Sequence, residues 1–138
     1  MDREILVVRD MAGWRKARMT RFTKWRTGRE LWMNLYLHQG VSMDSTRKDK
    51  IVHWLQACQN GDGGFGFLPR TTSYLENCHI CVRALAFLDA TPLNVEGCYH
   101  FVIACRNGSG GFAKTPGAAS FLEATWHAVA VFSCLEGL

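Results

Sequence analysis

The sequence predicts an all-α protein of helical hairpins arranged in two layers, and three observations carry that prediction. A long segment occurs twice: Ala57-Cys58-Gln59-Asn60-Gly61-Asp62-Gly63-Gly64-Phe65 returns 47 residues on as Ala104-Cys105-Arg106-Asn107-Gly108-Ser109-Gly110-Gly111-Phe112. Residues 57–76 and 104–123 are identical at 11 of 20 positions, and a fixed long period marks units that bury their apolar faces against their neighbours. The stretch ahead of each copy carries a single apolar stripe, as in a helix buried on one face. The stretch behind each copy is apolar on nearly all sides, as in a helix buried all round. Outer helices facing water and inner helices facing a central apolar space satisfy both patterns.

Composition sets the bounds. The 138 residues are 48% hydrophobic and 20% charged, the balance of a soluble globular domain. No apolar run reaches the roughly 20 residues that span a bilayer, and the N-terminus lacks a signal-peptide layout, with Asp2, Arg3 and Glu4 ahead of the short run Ile5–Val8. A cytoplasmic protein with six reduced cysteines is expected. The net charge of +4 divides unevenly. Residues 1–30 hold nine Lys/Arg and four Asp/Glu, whereas residues 31–138 hold seven and eight. Residues 1–30 are therefore read as a basic N-terminal arm and 31–138 as the helical repeats. The near-neutral repeats do not suit nucleic acid, which needs a basic surface.

The elements follow in order. Met11, Trp14, Phe22 and Trp25 give the arm an amphipathic pattern, interrupted by Gly13. Leu31-Trp32-Met33-Asn34-Leu35-Tyr36-Leu37 reads as an inner helix over 31–39 with its stop at Gly40. Ile51, Trp54, Leu55 and Cys58 form the stripe of an outer helix over 45–58, with Asn60-Gly61 as its left-handed stop. A second outer helix spans 92–105, with Val95, Cys98, Tyr99 and Val102 as stripe, Thr91-Pro92 at its start and Asn107-Gly108 at its end. Ser73-Tyr74-Leu75-Glu76 and Ser120-Phe121-Leu122-Glu123 read as capping boxes opening two inner helices. The Gly-Gly-Phe segments read as connectors, with glycines for a tight turn and the aromatic as a plug. Neither has a nucleotide-binding layout, and both recur with the helical period.

Trp54-Leu55-x-x-Cys58-Gln59-Asn60-Gly61-Asp62-Gly63-Gly64-Phe65-Gly66, followed by Pro69, Ser73, Leu75-Glu76 and an apolar helix, resembles the repeat of the protein prenyltransferase β-subunit and terpene (squalene-hopene) cyclase superfamily. The likeness continues, less fully, through Phe101–Leu135. It implies an α/α toroid, with inner and outer helical rings around a cavity for an isoprenoid chain. A complete ring in that family takes about twice the helix pairs present here. The chain is then a partial ring that self-associates, is completed by a second chain, is capped by its own arm, or is an incomplete piece of a larger toroid enzyme.

The chemistry implied by the resemblance finds fewer residues. The family holds zinc with an Asp-x-Cys pair and a His. Glu96-Gly97-Cys98-Tyr99 is similar to that pair but stands on an outer helix instead of opening an inner one. The family's His position falls on Asn77 and Ala124, with His127 one turn beyond. No cofactor is evident, and zinc enters on the resemblance alone. The acidic D-x-D-D and D-D-x-x-D motifs of cyclase and terpenoid chemistry are absent, and Asp89 stands alone at a helix end. In Cys78-His79-x-Cys81, His79 points about 100° from Cys78 on a helix, so packing thiols are favoured over chelation. The substrate-binding candidates are the residues early on the inner helices: Tyr74, Asn77, Cys78, Trp126 and His127. Two functions stay open: a prenyltransferase-like protein that transfers or binds an isoprenoid, and a non-catalytic helical-repeat binding module.

Overall fold

The computed structural model describes residues 26–37 and 44–136. Among these residues five helices follow one another: α1 Gly28–Leu37, α2 Ser45–Ala57, α3 Leu75–Phe87, α4 Val95–Ala104 and α5 Leu122–Leu135. Helices α1, α3 and α5 lie side by side as the inner layer, with α3 packed against both of the others. Helices α2 and α4 form the outer layer, both against α3, and α4 also reaches α5. The inner helices start at residues 28, 75 and 122, so the 47-residue period extends one unit further back than the repeated connector. The proposed stop at Gly40 and the amphipathic pattern of the arm lie outside the described residues.

The apolar stripes close the space between layers. Leu31 and Leu35 of α1, Ile51 and Leu55 of α2, Leu75, Cys78, Val82 and Leu85 of α3, and Cys98, Phe101 and Val102 of α4 form one buried cluster with Ala124, Ala128 and Val131 of α5. Tyr99 does not complete the stripe of α4 as expected, because its ring lies outward and Phe101 takes the core position. Helix α3 is buried almost all round, as its sequence predicts. Helix α5 is not, since Leu122, Trp126 and Val129 stay exposed along one side. Its sequence has the inner pattern, but no neighbour covers that side among the described residues.

Helix ends differ from expectation in three ways, each with a local cause. Neither Asn60-Gly61 nor its repeat supplies a left-handed cap. Helix α2 closes on Cys58 in a right-handed conformation, and the positive φ falls on Gly63 (88°) and Gly110 (95°) within the connectors. Thr91-Pro92 does not open α4. Asn94 does, its side-chain oxygen accepting from the Gly97 N–H at 2.7 Å. The capping boxes are not formed either: the residues at the caps are Tyr74 and Phe121, without side-chain hydrogen bonds. Ser73 lies one residue too early. Its hydroxyl donates to Asp62 Oδ1 (2.8 Å) and accepts from Asn60 Nδ2 (2.8 Å), binding the connector back on itself.

Phe65 is the plug that the sequence suggests, with its side chain fully buried in the core. Its repeat Phe112 is only partly covered and stacks edge-on with Phe132. The backbone of this segment also ties the units together. Phe65 O accepts from Tyr74 N–H (3.1 Å), and the first N–H of α3, Leu75, donates to Lys114 O (2.8 Å) in the next connector. A helix-terminal donor that would otherwise lack a partner is thereby satisfied from the neighbouring unit.

Candidate functional site

The inner helices present their N-terminal ends at one side of the layer, where α3, α5 and both connectors enclose an open pocket of about 320 Å³. Its apolar wall is Phe67, Tyr74, Leu75, Phe121 and Ala124, and its polar rim is Glu76, Lys114, Glu123 and His127. Tyr74 stands there because it is the extended residue ahead of α3, and Phe121 holds the matching place ahead of α5. The Phe67 and Tyr74 rings lie 6.1 Å apart. At the mouth, the Arg29 guanidinium of α1 donates to Glu76 Oε2 at 2.6 Å, in contact with solvent.

His127 is the one buried titratable side chain of this wall. It belongs to an array that crosses between inner helices. His127 Nδ1 lies 2.8 Å from His79 Nδ1, and Arg83 Nη1 lies 3.0 Å from His79 Nε2. The chemistry of the donors fixes the protons. A guanidinium only donates, so His79 Nε2 accepts. His79 then carries its proton on Nδ1 and donates it to His127 Nδ1, which leaves the proton of His127 on Nε2. Burial pushes the His79 pKa down to about 4, with the neighbouring His127 and Arg83 adding to the fall. Burial also lowers His127, against the opposing pull of Glu76 and Glu123. Both rings are neutral near pH 7. The array thus offers the pocket a donor N–H of set orientation.

The five residues expected from the sequence separate. Tyr74 and His127 come together in the pocket wall. Trp126 packs beside them, its ring 4.9 Å from both His79 and His127, but more than half of it faces outward. Asn77 and Cys78 lie on the buried side of α3, outside the pocket lining. Asn77 Nδ2 is buried with no hydrogen-bond partner among the described residues. Cys78 is pressed against Cys98 of α4, and burial followed by that contact raises its thiol pKa well above the ordinary range. Cys81 is held up likewise by its hydrogen bond to Cys58 and by burial. These thiols pack the interior, and protonated thiols are poor nucleophiles.

Zinc, which enters on the resemblance alone, finds no matching set of donors among the described residues. Among the described residues no three His, Cys, Asp or Glu side chains are grouped to hold a metal ion. Glu96 is exposed on α4 while Cys98 of the same segment points into the core, and the Nδ1 of His127 is engaged by His79.

Sequence reasoning missed His79, Arg83, Lys114, Phe67 and Phe121. A signal for the histidine pair was present: His79 and His127 are 48 residues apart, one more than the period. Residues at equal positions of neighbouring helices point the same way, whereas an offset of one turns the second residue about 100° toward the first.

The described residues contain no helix long and apolar enough to cross a membrane. The family model of the prenyltransferase alpha-alpha toroid domain matches residues 26–138. No curated protein matches the chain.

Proposed function

Because the chain belongs to the prenyltransferase alpha-alpha toroid domain family, we propose that it binds an isoprenoid chain in the pocket between α3 and α5, as a prenyltransferase-like protein. The observation that carries the proposal is the distribution of chemistry around that pocket. Phe67, Tyr74, Leu75, Phe121 and Ala124 supply an apolar bed, and the polar groups stand together at its rim. Such a division suits a ligand with a hydrocarbon tail and a polar head. The aromatic faces of Tyr74 and Phe121 would pack on the unsaturated chain, and would favour an allylic cation if positive charge develops there. Lys114 and the Nε2–H of His127 would meet the polar head. No step is assigned to a metal, since no donors suited to one are grouped among the described residues.

The setting proposed is the cytoplasm, supported by six free cysteines, five of them buried. Further inner helices, from self-association or a second chain, would complete the cavity wall. A fluorescent prenyl analogue should bind with saturation, and Phe121→Asp should weaken it at least tenfold without a comparable loss of fold. Transfer is tested separately, with labelled prenyl diphosphate and an acceptor thiol. No saturable binding would remove the ligand proposal, and binding without turnover would confine the protein to a carrier role.

A further inference from the structure

The frame that holds the pocket between α3 and α5 occurs twice in the molecule, with different side chains on it. In the pocket the Leu75 N–H donates to Lys114 O (2.8 Å). Between α1 and α3, 47 residues earlier, the Gly28 N–H donates to Phe67 O (2.9 Å). Positions 47 residues apart therefore meet in one geometry. In the earlier interval the mouth pair is Arg29 and Glu76, closed as an ion pair at 2.6 Å. The places of Lys114 and His127 belong there to the apolar Phe67 and Ile80. In the later interval the mouth pair is Glu76 and Glu123, two carboxylates, and the other two places hold Lys114 and His127. The same frame is apolar once and polar once.

The charges around the polar interval cancel. Arg29 neutralises Glu76, and Lys114 offsets Glu123, neither of which has an ion-pair partner among the described residues. His127 is neutral and presents its Nε2–H, and both carboxylates lie near enough to pull against the effect of its burial. Donors and an acceptor thus stand together without net charge: Lys114 and His127 donate, and Glu123 accepts. A diphosphate only accepts, and it would bring several negative charges to a mouth with two carboxylates and one uncommitted cation. An ammonium only donates, and it would meet Lys114. A hydroxyl both donates and accepts and adds no charge.

Resting on the isoprenoid reading of this pocket, we infer that its ligand is a prenyl alcohol and that prenyl diphosphates are turned away. The hydroxyl oxygen accepts from the Nε2–H of His127, and the hydroxyl proton goes to the Glu123 carboxylate. Like charge at the mouth disfavours the diphosphate. A ligand without the hydroxyl proton leaves the Glu123 carboxylate without a donor, which gives the preference for an alcohol over its ether.

Equilibrium dialysis of the full chain tests this with four labelled ligands that share one prenyl chain: the alcohol, its methyl ether, the amine and the diphosphate. The alcohol should bind about tenfold or more tighter than each of the others. Glu123→Lys should reverse the order of alcohol and diphosphate, and Glu123→Gln should narrow the gap between them, both with helical content unchanged by circular dichroism. A diphosphate, amine or ether that binds as tightly as the alcohol overturns the inference and leaves the isoprenoid reading standing. An order unmoved by Glu123→Lys overturns it as well, since the mouth carboxylate would then not be the cause. Binding of none of the four would end both readings.

Discussion

His79 illustrates how a single buried side chain links stability to pH. Its pKa is about 4 in the fold, against about 6.5 in an unfolded chain. Between those values the unfolded chain holds more protons, so the contribution of a neutral His79 is complete above about pH 6.5 and is lost as pH falls toward 4. His127 is displaced in the same direction. The melting temperature should therefore drop between about pH 7.5 and 5.5, before most carboxylates titrate. In His79→Gln that drop should shrink, and an equal drop in both proteins would acquit the histidine.

Glycines in the first connector are distinguished by what surrounds them. A Cβ on Gly64 would lie 2.6 Å from Ser73 Cβ and 2.9 Å from a Phe101 ring carbon, whereas Gly61 has nothing within 4 Å. Gly64→Ala should cost about 1–3 kcal/mol through overpacking, and Gly61→Ala should change stability by no more than about 0.5 kcal/mol. Phe65→Ala, which empties a fully buried site, should cost about 3–5 kcal/mol, and the half-covered Phe112 distinctly less. Chemical denaturation of the four variants checks the order.

At the scale of the element, the two Ser-x-x-Glu sequences look alike and behave differently. Ser73 joins Asp62 and Asn60 in a closed set of hydrogen bonds. Ser120 reaches Ser109, at 3.4 Å, and no further side chain among the described residues. Ser73→Ala should cost about 1–3 kcal/mol, since Asp62 loses a donor and Asn60 an acceptor in a part-buried loop, while Ser120→Ala should stay within about 0.5 kcal/mol. Equal losses would point back to helix caps.

The same elements show what the sequence could carry. Periodicity located the five helices of the described residues and their layers because 3.6-residue spacing and burial depend on side chains a few positions apart. It misplaced the caps because Ser73 has a choice of partners, and the deciding one, Asp62, lies 11 residues away across a turn. The pocket was legible in part. Tyr74 and His127 follow from their place at helix starts, but Lys114 enters from a connector whose path depends on how two units stack. Asn77 and Cys78 fell on the buried side of α3, a matter of helix phase that the near-uniform apolarity of that helix conceals.

Over the whole molecule, protection should be graded. Helix α3 has a neighbour on both inner sides and both outer helices against it, and α5 has one side open. Amide hydrogen exchange should be slowest in α3 and faster in α5, because local opening follows contact density. Uniform rates would mean that the arc opens only as a unit.

The bond from Leu75 N–H to Lys114 O has a consequence for how the chain acquires this structure. The first turn of α3 draws a partner from 39 residues downstream, so its start is not finished when its own segment coils. Closing a loop of that length costs only slightly more entropy than closing one half as long, but it must precede the reward. The ion pair of Arg29 with Glu76 and the Gln59–Asn94 exchange impose the same delay at other points. Assembly should then advance like a zipper with overlapping teeth, each unit fastened by the one after it. A deletion within the second connector would be felt first at the head of α3.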